Sequence, residues 1–548
     1  MVWGLVLSPG VGAGVAVMLR RQPADVLRAA VLANLLCTAV LGTALAAMAS
    51  ASTPQARVVA GWTTWTVPRS TLDRSDNVPK RESPWLEVVV SLGRDHWNAA
   101  ALLWIPWLAL SALLVVDAPV ERPALFYGLF CAWEACLLGC FAAYDALTFL
   151  SFDAAALWLG CALTGGWGQA HRRAAAGKFW RHQFAGQCAW FVGLAGLGVV
   201  AAWCHFYVSP RLPALSWTWP TLTEQLSRVV RSSWEIAAYF ESASAVLLVV
   251  LAFGALLRSP VVPLHSWWPV LATEAPSPVA VLTASAWCPL GMYAWLRFVA
   301  PVFSDSIALH AGQLAFAGEV TAVLAGLLAL AQTDLRRYAA YAALCLQGVA
   351  WTCANASTET GNAAALSLSQ AAGLGAAAWL LSIALLERRY HTRELDAFGG
   401  LAMRLPRFAV ALAAMLVCVN GFPAPFRAGI DLSVGWTLAE HRPWGLVAAV
   451  AGWLAVGWGG VWALQRLLFG PVREPTSQDS LFGDASGIVP LRPREVQDLS
   501  WTECAAFAPL VGWCLWFGMP GQFVDQVEES SAAVVRLRET TSQGRHAP

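Results

Sequence analysis

The sequence predicts an all-α polytopic membrane protein of about 14 transmembrane helices, with the seventh and twelfth broken. Three observations carry that reading. Of the 548 residues, 57% are hydrophobic and only 13% charged, with a mean hydropathy of +0.55. A soluble globular chain carries about a quarter charged residues, so a water-soluble domain is excluded. Apolar runs of the roughly 20 residues that a spanning helix needs recur along the chain, and the charges fall between them.

Taken in order, helices 1 to 8 are placed near 2–19, 24–49, 96–116, 123–143, 146–167, 179–204, 242–258 and 277–302. Helices 9 to 14 follow near 309–331, 338–354, 363–386, 408–431 (extending towards 439), 445–468 and 504–518. Odd-numbered helices end in basic residues: Arg20 and Arg21; Arg172, Arg173, Lys178 and Arg181; Arg336 and Arg337; Arg388, Arg389 and Arg393; Arg466 and Arg473. The loop at 355–362 on the other side has none. By the positive-inside rule the basic side faces the cytoplasm or mitochondrial matrix, with both termini opposite. The long polar loop at 50–95 runs against this bias with several arginines and Lys80, but long loops count little in that rule.

Helix 7 runs into Pro260 and Pro263, and helix 12 is cut by Gly421, Pro423 and Pro425. Proline removes a backbone donor and clashes with the preceding turn, so each site should break its helix. Broken helices five positions apart are the pattern of an inverted-repeat transporter.

Several function classes are excluded by what the chain lacks. The 13 cysteines form no C-x-x-C pair and lie in apolar stretches as small hydrophobes; Cys131, Cys136 and Cys140 share one helix. The nine histidines show no paired spacing, and there is neither a G-x-G-x-x-G turn nor a P-loop. The chain is therefore expected to hold no metal, nucleotide, flavin, haem or iron–sulfur site of its own. A net charge of +1 gives no reason to expect a nucleic-acid partner. Val2 to Leu19 lacks a basic n-region and reads as a retained helix, with no transit peptide before it.

An ionisable side chain at the bilayer centre costs about 2.5–3.5 kcal/mol on insertion scales, so each needs a reason. Five stand inside apolar runs: Glu134, Asp153, Arg258, Glu319 and Asp431. A single one could be half of a static pair; five together favour an ion path, in which carboxylates pass protons through waters.

The motifs now resemble a known family. Arg258-Ser-Pro-Val-Val-Pro-Leu-His265-Ser-Trp267-Trp-Pro269, then Glu274-Ala-Pro276 and Tyr293-Ala-Trp-Leu-Arg297-Phe, resemble the antiporter-like subunits of respiratory complex I. Ala331-Gln-Thr-Asp334-Leu-Arg336-Arg337-Tyr-Ala-Ala-Tyr341 is similar to that family's signature between helices 9 and 10. Gly139 through Asp145 to Asp153, Trp167-Gly168 to Lys178-Phe179, and Glu387 through His391-Thr-Arg393 to Gly399-Gly400 add to it, so the likeness spans roughly 85–520. Within the family the wording is most like the chain 4 branch (chain M in bacteria). Asp431 supports this, because chain 5 and the cation/proton antiporter relatives carry lysine there. No long lateral helix follows helix 14.

The resemblance implies two inverted five-helix repeats, helices 4–8 (117–303) and 9–13 (304–470). It places an N-terminal segment at 1–116, and a connecting loop, helix 14 and a polar tail at 471–548. It implies proton translocation driven by quinone reduction elsewhere, with NADH, FMN, iron–sulfur clusters and ubiquinone in partner subunits. Those partners include chain 2 and chain 5 homologues, within the lipid bilayer. Carried over singly, the helix 5 glutamate falls on Asp153, the helix 7 lysine on Arg258 and the helix 12 glutamate on Asp431. The helix 8 lysine falls on Pro289, and histidines of helices 10 and 11 fall on Leu346 and Ala372. Only Lys80 and Lys178 remain among 35 basic residues, and Lys178 stands on a family lysine.

The proton path read from these residues runs through Asp153, Arg258, Glu319 and Asp431, joined by Glu134, Lys178 and His265. Glu319 is not a family position. The eroded motifs point to a mitochondrial inner membrane, with a bacterial plasma membrane as the alternative. Two other functions compete: a membrane-arm subunit that has lost conduction, and a stand-alone cation/proton antiporter subunit.

Overall fold

The computed structural model describes residues 1–50, 58–67, 86–95, 97–116, 121–208, 215–216, 234–356, 358–420, 427–473 and 497–518. Each of the 14 predicted helices finds a helical counterpart among them. The first group is α1 (Val2–Met18), α2 (Ala24–Ser50), α3 (Ala99–Val115), α4 (Pro123–Ala142), α5 (Ala146–Trp167), α6 (Arg172–Val208) and α7 (Trp234–Arg258). A short α8 (Trp267–Glu274) follows, and then α9 runs over 277–299. The second group is α10 (Ser304–Leu330), α11 (Leu335–Ala354), α12 (Glu359–Tyr390), α13 (Pro406–Asn420), α14 (Ala428–His441), α15 (Pro443–Leu468) and α16 (Trp501–Gly518). Eight described helices are long and apolar enough to span a bilayer, and four shorter ones are apolar over 10–17 residues. Leu7, Val11, Val199, Phe316 and Trp458 are exposed on the outer faces, as lipid-facing side chains should be.

The fourth helix of each five-helix set is interrupted. α7 stops at Arg258, because Pro260 and Pro263 cannot donate to the next turn, and the chain resumes as α8. In the second set α13 ends at Asn420 and α14 begins at Ala428. Gly421, Pro423 and Pro425 themselves lie outside the described residues. α9 is buried along its whole length and contains two π turns, Thr283–Trp287 and Trp295–Val299. Such bulges turn side chains away from their regular helical directions and recur at functional sites.

Close packing of the second set depends on glycine. A Cβ on Gly326 would lie 3.0 Å from the Cα of Gly452, so α10 and α15 approach backbone to backbone. That is how membrane helices gain contact when no hydrophobic effect drives them together.

The loop at 50–95 differs from its expected character. It contains β1 (Val58–Val67) and β2 (Leu86–Arg94), an antiparallel pair that β3 (Leu215–Ser216) joins in parallel. Val58-Val-Ala-Gly-Trp-Thr-Thr-Trp-Thr-Val67 is rich in β-branched and aromatic residues, a strand signal hidden when the loop is averaged as one polar segment. Lys80 lies outside the described residues. The hairpin's end is bolted to the bundle. Asp95 receives Arg297 Nη1 at 2.8 Å and the Tyr144 hydroxyl at 2.8 Å. Burial and the Asp95 charge push that hydroxyl up to about 12.

At the basic end, the signature residues clamp the two sets together. Asp334 caps α11 by accepting from the Arg336 and Arg337 amides. Its other oxygen takes Arg393 Nε at 2.8 Å. Arg336 is fully buried; it pairs with Glu387 and donates to the Ala275 carbonyl at 3.0 Å. Arg393 Nη1 reaches the Thr273 carbonyl at 2.8 Å. Replacing Arg336 with leucine takes its donor from the Ala275 carbonyl and leaves Glu387 with only Arg393 Nη1 at 3.8 Å, and should cost about 3–5 kcal/mol. Thermal unfolding in detergent should show an Arg336→Leu variant melting well below the parent, and membranes should hold less of it.

Candidate functional site

The first half of the site lies where α5, α6, α7 and α9 meet. Asp145 caps α5, accepting from the Thr148 amide at 2.7 Å, which sets the helix so that Asp153 points inward. Arg258 is the last residue of α7, placed there by the proline break. The two side chains form an ion pair, each about 1% exposed. Two residues that the sequence reading missed hold the arginine. Gln187 Oε1 accepts from Arg258 Nη2 at 3.1 Å, while its own amide donates to the Leu150 carbonyl at 3.1 Å. The guanidinium also lies 5.0 Å from the ring centre of Trp287, which the first π turn presents. Lys178 and His265 stand together on the basic side. Burial and the Lys178 charge hold the His265 imidazole below its ordinary value, so it is neutral at pH 7.

The second half is built on the other broken helix. Arg427, just before α14, donates through Nε to Asp431 Oδ1 at 2.8 Å, and both are buried. Arg427 was not anticipated, although its i, i+4 spacing from Asp431 is a readable signal. Each half thus carries an aspartate matched to an arginine.

Glu319 stands mid-way along α10 (Ser304–Leu330). One carboxylate oxygen lies 3.3 Å from where a Cβ of Gly445 would stand, against the first turn of α15. A helix N-terminus favours negative charge, so this carboxylate is electrostatically at home there. Gly318 packs on Gly348 and Thr352 near the end of α11, which puts Glu319 towards the non-basic side.

Between the halves the side chains are mixed. Pro289, Leu346 and Ala372 are buried and cannot titrate, and Gly373 on α12 brings its backbone against Pro289. Beside Leu346, Gln347 exchanges two hydrogen bonds with Ser369, at 3.0 and 2.7 Å. A buried amide–hydroxyl pair therefore stands next to the position where the family resemblance implied a histidine. Glu134 on α4 is fully buried; it joins neither ion pair, and neither oxygen has a hydrogen-bond partner among the described residues.

Residues 143–453, more than half of the chain and including both Asp–Arg pairs, match the family model described as NADH:quinone oxidoreductase/Mrp antiporter, transmembrane. The chain belongs to this family. The antiporter-family chain is 25% identical over 415 residues to NADH-quinone oxidoreductase subunit M of Rhodobacter capsulatus, covering 74% of each. It is 26% identical over 464 residues to F(420)H(2) dehydrogenase subunit M of Methanosarcina mazei, covering 83% of this chain and 86% of that one. Among solved structures, a chain of respiratory complex I from Thermus thermophilus superposes with a TM-score of 0.73 at 22% identity, covering 95% and 96%. A chain of the Mrp complex from Dietzia has a TM-score of 0.71 at 19% identity, covering 95% of each. Both share this fold.

Proposed function

We propose that this chain is a proton-translocating, chain 4-type subunit in the membrane arm of an NADH:ubiquinone oxidoreductase. The observation that carries the reading is one buried carboxylate in each half, placed beside a helix break and matched to a fixed cation. Arginine keeps its proton across physiological pH, so Arg258 and Arg427 set the charge of the site while the carboxylates and waters move protons. Neutral His265 and Lys178 form the uptake side, Asp153 and Asp431 the two loading sites, and Glu319 the release side at the first turn of α15. A broken helix is tolerated at membrane depth where protein or water satisfies the freed backbone groups.

Redox chemistry belongs to partner subunits holding NADH, FMN, iron–sulfur clusters and ubiquinone. Chain 2 and chain 5 homologues would flank this chain. The membrane is the mitochondrial inner membrane on the sequence reading, and the bacterial plasma membrane on the organisms of the relatives; cell fractionation separates the two.

Asp431→Asn keeps an acceptor for Arg427 but removes the titratable oxygen. It also strips Arg427 of its counter-ion, so less complex should assemble, and the complex that does assemble should move fewer protons per electron. Unchanged stoichiometry in that variant would sink the role given to Asp431. A second reading, a subunit that has lost conduction, draws on Pro289, Leu346 and Ala372 at the centre; it requires the Asp431→Asn complex to pump normally. A stand-alone cation/proton antiporter requires the chain never to co-purify with NADH oxidation.

A further inference from the structure

We propose that Thr321 is the positioning residue of the first ion pair: its hydroxyl pins the break after α7 to α10 and so holds Arg258 against Asp153. The inference rests on the proton-relay reading above and adds to it the residue that sets the geometry of its first loading site.

The break leaves backbone donors to be placed. Ser259 still returns its amide to the Ala255 carbonyl at 2.8 Å, and Leu264 turns back on the Val261 carbonyl at 2.7 Å. Pro260 and Pro263 have no N–H to give. Val262, between them, has left the helical ladder, and a buried amide without an acceptor is costly. Its acceptor comes from the other five-helix set. The Val262 amide donates to Thr321 Oγ1, 59 residues further along the chain, at 2.9 Å.

Thr321 is placed to hold that oxygen still. The side chain is fully buried, and its own proton goes to the Ala317 carbonyl, one turn back on α10, at 2.6 Å. On α11, a Cβ on Gly348 would lie 2.9 Å from the Thr321 Cβ, so the neighbouring helix presses directly on it. A β-branched side chain bonded and packed in this way is fixed at χ1.

The break is held by a second helix at Arg258 itself. A Cβ on Gly291 would lie 3.0 Å from the Arg258 carbonyl carbon, so α9 meets the backbone there. One turn earlier on α9, Trp287 faces the guanidinium. Four residues separate this grip from the one at Val262, and misplacing a reacting group by about 1 Å can cost about a hundredfold in rate. Ala317 and Thr321 share one face of α10, whereas Glu319 lies about half a turn round, against α15. One helix therefore carries the anchor of the break on one face and the proposed release carboxylate on another.

The test uses the assembled complex carrying Thr321→Val, Thr321→Ser or Arg258→Gln. Valine keeps the shape and loses the hydroxyl; serine keeps the hydroxyl. Hydrogen exchange at the Val262 amide should be slow in the parent and in T321S, and should lose its protection in T321V. Protons moved per NADH oxidised should fall in T321V towards the R258Q level and recover in T321S. A purely structural role would lower the melting temperature of T321V and leave that ratio unchanged, and this result overturns the inference. So does retained protection of Val262 in T321V, or an equal loss of pumping in T321V and T321S. Normal pumping in both T321V and R258Q removes the relay itself. If T321V does not assemble, Thr321→Ala removes the hydroxyl without setting a methyl group against the Val262 amide, and is read in the same way. Failure of both to assemble while T321S does makes Thr321 a folding determinant and overturns the assignment.

Discussion

Asp153→Asn should be the most damaging single substitution at the site, and more damaging than Arg258→Gln. The reason is an asymmetry between the partners of a buried ion pair. When Arg258 is removed, Asp153 can take up a proton and become a neutral acid with modest desolvation cost. When Asp153 loses its charge, Arg258 cannot shed its own, and a guanidinium about 1% exposed stays charged without a counter-ion. Gln187 at 3.1 Å and the Trp287 ring at 5.0 Å soften this but supply no negative charge. Orphaning a buried charge costs about 3–5 kcal/mol, a large part of the stability of any domain. Melting temperature and membrane abundance should therefore fall in the order parent, Arg258→Gln, Asp153→Asn. The reverse order would mean that Arg258 has another anion. Pumping should be lost in both variants, because each removes one side of the loading site.

The pairing that drives this prediction was legible in the sequence, and the reason is physical. A charge in an apolar run has few ways to be tolerated, so Asp153 on helix 5 and Arg258 at the end of helix 7 each called for a partner, with three other such charges as rivals. The family motif placed them in register. Helix positions were equally readable, because bilayer thickness fixes their length and proline fixes the stop of α7.

What stayed hidden follows a pattern too. Gln187 looks like any polar residue near a helix end, and only the packing of α6 on α7 shows that it grips Arg258. Arg427 was masked by the cluster of Gly421, Pro423 and Pro425, which drew attention to the break and away from the residue just after it. Gln347 and Ser369 are 22 positions apart on different helices, and no spacing rule joins them. Glu319 was readable as a carboxylate within α10, but length along α10 does not reveal that α15 begins beside it. The hairpin of β1 and β2 was lost through averaging over a charged loop.

Replacing the whole Asp153–Arg258 pair with apolar residues should separate stability from transport. A buried ion pair gains little over well-packed hydrophobic side chains of similar volume, and such exchanges are often neutral or stabilising by about 1–4 kcal/mol. Asp153→Leu with Arg258→Met fits this case: methionine is unbranched and can follow the arginine's path past Trp287, and leucine fills the aspartate's place on α5. The Gln187 side chain keeps its bond to the Leu150 carbonyl at 3.1 Å, so only its oxygen loses a donor. The double variant should melt at or above the temperature of Asp153→Asn by several degrees, and should assemble to near-parent levels. Its pumping should nevertheless be abolished, since no group near Gln187 could then bind a proton or fix a water chain. Preserved assembly with lost pumping would show that the pair is maintained for transport rather than for folding. Preserved pumping would move the proton route away from α5 and α7 altogether. A double variant no more stable than Asp153→Asn would mean that the cost lies in the shape of the site, with the orphaned charge a minor part of it.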